Sequence, residues 1–127
     1  VEEMPQIAEN MIDVNHWYNP SSASGQAMRK RTEADGKYFT FEVYCAYMSI
    51  LFLVDGFERA GSTDKEAVNA ALASSTLSVD FMPYGQTKMV NGQNMGSRAV
   101  AIQAQKGDVQ IIAPSSYATA TAIFPRS

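Results

Sequence analysis

Residues 46–76 carry the pattern that decides the fold: AYMSILFLVDGFERAGSTDKEAVNAALASST. The first half of this stretch is apolar on almost every side, and Gly61 separates it from a shorter amphipathic segment. Arg59 and Gly61 form a typical helix end, because a cation suits the negative end of the helix dipole and glycine accepts a left-handed cap. The sequence predicts a long helix that begins near Phe39 or Thr40 and ends before Gly61.

A second helix is predicted directly after this end. Residues 63–66 read as a capping box, in which Thr63 and Glu66 satisfy free backbone amides. Two helices joined by a short turn make an αα-hairpin. The side chains expected to cover one flank of the long helix are Val68, Ala71 and Leu72.

The segments before the long helix alternate in type. Residues 4–10 predict the tail of a helix that starts near Pro5, and residues 11–18 predict a strand with Ile12, Val14 and His16 on one side. Asn19–Pro20 is a turn signal. Residues 22–35 predict a polar helix, with Gly36 as its C-cap candidate. The thin apolar stripe expected on this helix consists of Ala23, Ala27 and Met28.

The segments after the αα-hairpin are typical of β-structure. Apolar residues alternate with polar or small ones over residues 100–111, around Lys106–Gly107–Asp108, which predicts a β-hairpin with a tight turn. Asn91–Gly92 is a second turn signal. The tail, residues 115–124, is expected to be extended until Pro125 ends it.

Composition excludes several classes of protein. The 127 residues suit one domain, and 46% hydrophobic with 18% charged residues is typical of a globular chain. The net charge of −3 gives no footprint for nucleic acid, and the basic run 29–31 is interpreted as a solvated helix face. The uncharged stretch 43–54 falls short of the ~20 residues of a membrane span.

Reactive and metal-ligating residues are scarce. The single cysteine, Cys45, is interpreted as a small buried hydrophobe, and the single histidine, His16, as a hydrogen-bonded structural residue. No nucleophile–base–acid pattern is visible, so we expect no catalytic residue and no enzyme activity. With no second histidine or cysteine nearby, neither a metal site nor a cofactor is expected.

The long helix raises a question of cover, because a helix that is hydrophobic all round must be buried on all sides. Fully burying one large apolar side chain is worth roughly 1.5–3 kcal/mol, so four or five exposed ones would forfeit as much as a domain's net stability. Either the chain oligomerises through this helix, or it is a piece of a larger protein whose sheet is missing. The large apolar side chains concerned are Phe39, Phe41, Val43, Tyr44, Tyr47, Ile50, Leu51, Phe52, Leu53, Val54 and Phe57.

The order of the motifs resembles the C-terminal portion of the type I periplasmic solute-binding proteins of ABC transporters, the branched-chain amino acid (leucine-binding-protein-like) family. The matching features are Trp17, Pro20, Tyr47, the run Glu58-Arg59-Ala60-Gly61-Ser62, "DKEAVNAAL", and the closing segment "MPYGQTKMVNGQNMGSRAVAIQAQKGDVQIIAP". The likeness covers nearly the whole chain but only about the last third of a family member. No single motif carries it.

The resemblance implies an α/β fold in which two lobes close on a solute. This chain would be a C-terminal fragment with three to four helices, including the αα-hairpin, and antiparallel β-hairpin strands. Residues 1–20 would form a hinge strand region, residues 21–80 helices of lobe one, and residues 81–127 the crossover and hairpin strands toward lobe two. The long helix would pack on a parallel sheet of lobe one that lies in the remainder of the chain.

The resemblance also implies a function and a partial site. The chain would belong to a periplasmic or extracellular protein, soluble or tethered to the cell surface, that delivers a small polar, amino-acid-like or aromatic metabolite to an inner-membrane permease. In the family an aromatic residue often lines the cleft five residues before the tyrosine of the long helix. That position holds Glu42 here, and a carboxylate favours a cationic or hydroxylated partner. Phe41, Trp17 and Tyr18 complete the expected ligand-binding set.

Each of these residues has an alternative role in the fold. Glu42 is also interpreted as a first-turn acid favoured by the helix dipole, Phe41 as a core residue, and Trp17 as a lid on the core. Two alternative functions stay open: a ligand-sensing domain of a signalling receptor with the same fold, and a complete small α+β protein that dimerises through residues 39–57. For the isolated fragment we expect self-association.

Overall fold

The protein is a mixed arrangement of helices and antiparallel strands. The computed structural model describes residues 5–124, with side chains from residue 7, so Pro125 lies outside the described residues. The helices are α1 (Pro5–Ala8), α2 (Ala23–Ala34), α3 (Phe41–Ala60) and α4 (Lys65–Ala73). The strands are β1 (Ile12–Asn15), β2 (Met89–Val90), β3 (Gln93–Asn94), β4 (Val100–Gln105) and β5 (Asp108–Ala113). None of the described helices is long and apolar enough to cross a membrane.

The chain divides into two compact units. The strand unit contains the chain up to Trp17 and again from Ala99 onward, and the helical unit contains Tyr18–Arg98. The chain therefore passes from one unit to the other twice, after Trp17 and after Arg98. The segment boundaries expected at residues 20 and 80 stay a prediction.

The strand unit is built on a three-stranded sheet of order β1-β4-β5, with both neighbouring pairs antiparallel. The predicted hairpin is confirmed: Lys106 and Gly107, with φ of 55° and 78°, form its two-residue turn. Positive φ at both positions gives the turn the twist of its flanking strands, and glycine adopts such a φ without strain. The buried apolar side chains of this sheet are Val100, Ala104 and Ile111.

The first strand is shorter and more exposed than predicted. β1 covers only four of the residues 11–18, and Ile12 and Val14 are exposed, as is His16. β1 is an edge strand, so it pairs with a neighbour on one side only. The interpretation of His16 as a hydrogen-bonded structural histidine stays a prediction; its side chain is exposed.

The predicted extended tail is also wrong in part. Residues 115–124 contain turns and irregular backbone and pair with no strand among the described residues. The physical reason is a contact with distant residues: buried glutamine side chains of β4 take the hydrogen bonds that a strand ladder would otherwise take. Gln103 accepts from the Ile123 amide at 2.9 Å and donates to the Ile123 carbonyl at 3.1 Å.

Ser22 is the N-cap of α2, and its hydroxyl accepts a hydrogen bond from the Gly25 amide at 3.1 Å. The C-cap is Asp35 rather than the predicted Gly36, which follows it with a φ of +69°. The expected apolar stripe is only partly confirmed, since Met28 is buried but Ala23 and Ala27 are exposed.

The αα-hairpin is confirmed, with one correction at its second helix. α3 ends on Gly61, whose φ of +58° is the left-handed cap that the sequence predicts. The N-cap of α4 is Asp64, not Thr63: the Asp64 carboxylate accepts from the Ala67 amide at 3.0 Å. A carboxylate gains more than a hydroxyl at the positive end of a helix dipole, which explains the shift by one residue.

A close contact and an arginine hold α3 against α4. A Cβ atom at Gly56 would stand 2.6 Å from Leu72 Cδ2, so the glycine permits the close approach of the two helices. Arg59 pairs with Asp55 at 3.0 Å and donates to the Ala71 carbonyl near the end of α4. The Glu58–Ser62 motif thus includes a residue, Arg59, that ties the two helices together.

The segment after α4 folds back onto the helical unit through small polar contacts. The buried hydroxyls of Ser75 and Thr87 hydrogen-bond at 2.9 Å. The Asn94 side chain accepts from the amides of Lys88 (3.0 Å) and Gly96 (3.1 Å), which fixes the loop after β3. The predicted Asn91–Gly92 turn joins β2 to β3, with φ of 49° and 78°.

Candidate functional site

Three of the four expected ligand-binding residues lie in the helical unit. Tyr18 is its first residue, and Phe41 and Glu42 occupy the first turn of α3. Trp17 is the residue of the strand unit that directly precedes Tyr18. The assignment of these four residues to solute binding stays a prediction, and their surroundings define what each could do.

Trp17 and Tyr18 are buried side chains. Trp17 is 5% exposed and Tyr18 0%. The Tyr18 ring meets Phe39 edge to face, with centroids 4.9 Å apart and an interplanar angle of 71°. This geometry is the favourable arrangement of two aromatic quadrupoles. In this structure Tyr18 therefore anchors the segment that leads into α3.

The start of α2 is shaped to accept the Tyr18 ring. A Cβ atom at Gly25 would lie 2.7 Å from Tyr18 Cδ2 and 3.0 Å from the Asn19 carbonyl oxygen. Any side chain at position 25 would push the helix away from the ring. The sequence does not predict this role of Gly25, because a single glycine in a helix gives no information about the side chain that it contacts.

Phe41 and Glu42, in contrast, are exposed. Glu42 is the acid of the first turn of α3, where the helix dipole favours negative charge. A hydrogen bond from the Thr40 side chain, followed by one from the backbone, holds the pKa of Glu42 below its usual value. Glu42 is thus a solvated carboxylate that can accept hydrogen bonds from an ammonium, guanidinium or hydroxyl group.

Exposed aromatic rings accompany this carboxylate. Tyr38 and Phe41 both present a large fraction of their surface to solvent, and they flank the N-cap residue Thr40. A carboxylate beside exposed rings is a combination that suits amino-acid-like or aromatic solutes, since the rings offer apolar contact and the carboxylate a polar one.

A second aromatic cluster, which the sequence analysis missed, lies along the first half of α3. Phe81 stacks edge to face on Tyr44 (6.1 Å between centroids, 84°) and lies 5.7 Å from Tyr47. Burial, together with the nearby hydroxyl of Tyr84, raises the pKa of Tyr44. The motif "MPYG", residues 82–85, directly follows Phe81. It was the sequence feature that could have drawn attention to the contacts of Phe81 with Tyr44 and Tyr47.

The segment that carries Phe81 also contacts the start of α2. Asp80 accepts a hydrogen bond from the Ser24 hydroxyl, and its carbonyl accepts from the Asn19 side chain at 3.3 Å. The Asn19 amide in turn donates to the Phe81 carbonyl at 2.7 Å. These bonds fix the positions of α2 and of the aromatic segment relative to each other within the helical unit.

The largest unexplained surface of the helical unit is one face of α3. At about 100° per residue, seven apolar positions of α3 fall within an arc of about 120°, and no polar or charged residue lies among them. Ile50, at the middle of this arc, is 61% exposed. The described residues therefore leave one side of α3 uncovered, in agreement with the expectation that this chain alone supplies too little cover for the long helix. We call this surface the open face, and its members are Val43, Ala46, Tyr47, Ile50, Leu53, Val54 and Phe57.

The reactive side chains of the helical unit do not cluster. Cys45 is half-buried rather than buried as expected, and burial followed by the charge of Glu42 raises the pKa of its thiol. A raised pKa favours the thiol over the nucleophilic thiolate. Over the part of the chain that the structure describes, no three His, Cys, Asp or Glu side chains group as a metal site would require.

No protein-family model matches the chain. No curated protein matches it significantly either.

Proposed function

We propose that the chain is the C-terminal portion of a type I solute-binding protein of an ABC transporter. Such a protein captures a small polar, amino-acid-like or aromatic metabolite by closing two lobes and presents the closed form to an inner-membrane permease. The observation that carries the proposal is the open face of α3, a helix surface without a single polar residue over its middle turns.

The size of the open face supports a partner that covers it. Tyr47, Ile50, Leu53, Val54 and Phe57 are each roughly 40–60% exposed. Since large side chains present on the order of 200 Å² each, the face leaves roughly 450 Å² of apolar surface in water. Covering that area is worth about 10 kcal/mol, as much as the net stability of a domain.

The shape of the face favours a sheet over a second copy of the helix. A helix–helix seam needs a narrow stripe with a 3.5-residue period, whereas a helix that covers a core presents a stripe wider than about 100°. The open face spans about 120° and therefore suits a flat partner. A dimer through this face alone would bury only about half of the ~800 Å² per partner that stable interfaces use.

The division of the chain into two units also supports the proposal. The chain leaves the strand unit after Trp17 and returns to it after Arg98. A two-lobed receptor needs a chain that crosses between its lobes more than once, and this one does so twice. Glu42 and Phe41 would then be available to contact the solute, with a cationic or hydroxylated group directed at the carboxylate.

The decisive experiment is to find the length of the natural polypeptide that contains these residues. Mass spectrometry of the native product should give roughly three times the 13.9 kDa of this chain, the size of two α/β lobes. A native product of 13.9 kDa would overturn the fragment proposal and leave the small dimeric α+β protein.

Solute binding is tested on that full-length protein. A thermal-shift screen of amino acids, amines and aromatic acids should find a stabilising ligand, because a ligand that binds only the native state raises the unfolding temperature. Glu42→Gln should weaken binding of a cationic or hydroxylated solute by about 10-fold or more, the usual effect of losing a charged hydrogen bond. Glu66→Gln, at another exposed first-turn acid, is the matched control and should leave binding unchanged.

A further inference from the structure

The amide of Gln103 holds the tail of the chain with its full hydrogen-bonding capacity. Its nitrogen donates to the carbonyls of Asn10 and Ile123, both at 3.1 Å. Its oxygen accepts from the Gln105 side chain at 2.7 Å and from the Ile123 amide at 2.9 Å. A glutamine amide offers two donors and two acceptor sites, and here all four are used.

Two neighbouring positions continue this arrangement along the tail. Gln105 donates its second hydrogen bond to the Thr121 carbonyl at 2.9 Å. The Ile111 amide donates to the Thr119 hydroxyl at 2.9 Å, and the Thr119 amide donates to the Ile111 carbonyl at 2.8 Å. We call residues 119–124 the strap, and the side chains of Gln103 and Gln105 with the backbone of Ile111 the slot.

Apolar contacts contribute little to the hold on the strap. Phe124 is 72% exposed, Ile123 is exposed as well, and Thr119 and Thr121 also face solvent. Polar bonds therefore account for most of the attachment. Each such bond shifts the equilibrium between bound and released strap by only about two- to tenfold.

The slot binds the peptide main chain, and its buried amide groups depend on a bound segment for their hydrogen bonds. At positions 121 and 123 its hydrogen bonds are to main-chain atoms, so they recognise the peptide group rather than the side chain. Gln103 and Gln105 are 0% and 8% exposed, and a buried amide without a partner is costly. Release of the strap would break the three hydrogen bonds that these amides make to its main chain, so the freed groups can bind the main chain of another peptide segment in its place.

We propose that Gln103 and Gln105 form a binding slot for a peptide backbone and that residues 119–124 fill it as an exchangeable internal ligand. When the resident strap is displaced, the same segment of a second copy of the chain takes its place. The attachment by a few polar bonds supports displacement, and the buried amides support recapture. This inference rests on contacts within the strand unit and is independent of the proposed transport function.

The test uses the full chain with a disabled strap and a labelled peptide of residues 115–124. Thr119→Ala and Ile123→Pro remove the strap's hydroxyl acceptor and one amide donor while leaving both glutamines intact. Fluorescence anisotropy should show that the peptide binds this variant at least about 10-fold tighter than the wild-type chain. In the wild type, the tethered strap competes at an effective concentration on the order of millimolar.

Two controls locate the binding in the slot. Adding Gln103→Ala to the disabled chain should abolish peptide binding, whereas adding Gln93→Ala, in the β2–β3 hairpin, should leave it unchanged. A peptide that itself carries Ile123→Pro should not bind. Equal binding to the disabled and wild-type chains, no binding to either, or binding that survives Gln103→Ala would each overturn the proposal.

A measurement on the wild-type chain covers the case in which the disabled variant does not fold. Native-state hydrogen exchange should show the Ile123 and Thr119 amides opening at least about 10-fold more often than the Ala104 amide, which donates to the Met11 carbonyl within the sheet. Equal protection of these amides would mean that the strap opens only with the whole unit, and the proposal would be wrong.

Discussion

Gly56 of α3 faces Leu72 of α4 so closely that a Cβ atom on the glycine would stand 2.6 Å from Leu72 Cδ2 and 3.0 Å from Cγ. Two effects oppose each other at this position. Alanine in a helix interior is favoured over glycine by about 1 kcal/mol, whereas forcing an extra methyl group into a packed contact costs about 1–3 kcal/mol. The contact with Leu72 decides whether an alanine at position 56 stabilises or destabilises the folded chain.

We expect Gly56→Ala to lower the free energy of unfolding by about 1 kcal/mol, as measured by urea denaturation. Shortening the opposing side chain removes the clash, so Leu72→Ala should cost less in the Gly56→Ala background than in the wild type. Ala70→Gly, at an exposed position of α4 outside the open face, measures the helix-propensity difference alone. If Gly56→Ala stabilises the chain by as much as Ala70→Gly destabilises it, the close helix contact is wrong.

Gly96 is predicted to be intolerant of any side chain. A Cβ atom there would lie 2.4 Å from the Gln86 carbonyl oxygen and 3.0 Å from the Lys88 nitrogen, and these backbone atoms cannot rotate away. Gly96→Ala should therefore cost about 2 kcal/mol or more in the free energy of unfolding, the range of a steric conflict in a packed site.

Gly85 supplies the matched control for this prediction. Its φ of +81° strains an alanine, but no atom lies within 4 Å of the Cβ position. Gly85→Ala should thus cost only the ~1 kcal/mol of a left-handed alanine. Equal costs at positions 85 and 96, measured by urea denaturation, would contradict the steric account.

The buried hydroxyl of Tyr44 makes stability depend on alkaline pH. Burial raises the pKa of Tyr44 in the folded chain, whereas in the unfolded chain the hydroxyl ionises near its ordinary pKa of about 10. Above that pH the unfolded state binds fewer protons than the folded state, so stability falls as pH rises. The expected loss is about 1.4 kcal/mol per pH unit between pH 10 and the folded pKa.

Tyr44→Phe should remove this alkaline loss. Urea denaturation at pH 9, 10 and 11 should show a shallower decline for the variant than for the wild type, with the gap widening by about 1 kcal/mol per unit. Tyr38→Phe, which changes an exposed ring, serves as the control and should leave the slope unchanged. Parallel curves for wild type and Tyr44→Phe would show that the hydroxyl is not buried.

The open face of α3 should drive association of the isolated chain. Sedimentation velocity over a concentration series should show reversible self-association, because an apolar surface of this size is left in water. Ile50→Lys places a charge at the centre of the face and should shift the chain to monomer with little change in its own stability.

Ser49→Lys adds the same charge one residue away, at an exposed position outside the open face, and should not affect association. A wild-type chain that stays monomeric at high concentration would contradict the prediction of association. Equal effects of the two lysines would show that charge rather than the loss of apolar contact is responsible.

Local signals in the sequence were sufficient for the helices and the tight turns. Gly61, the Lys106–Gly107 turn and the Asn91–Gly92 turn are each set by a left-handed backbone that a few neighbouring residues specify. The N-cap of α4 was placed one residue early, at Thr63 instead of Asp64, because two adjacent residues can both cap a helix.

Contacts between distant residues could not be predicted in the same way. The tail was expected to be extended, but Gln103, twenty positions earlier, takes the hydrogen bonds of Ile123. Likewise, the burial of Tyr18 depends on Phe39 and Gly25, which no local pattern connects to it. The expected ligand-binding residues came from a resemblance, and only Phe41 and Glu42 present surface in this structure.

The saturated amide of Gln103 limits how this position can evolve. Asparagine would be one methylene too short to reach both Asn10 and Ile123, and glutamate would offer acceptors where two donors are needed. Relatives of this chain should therefore keep glutamine at this place or else change it together with the C-terminal residues. A relative in which position 103 has changed but residues 119–124 have not, or the reverse, should hold residues 119–124 in a different position.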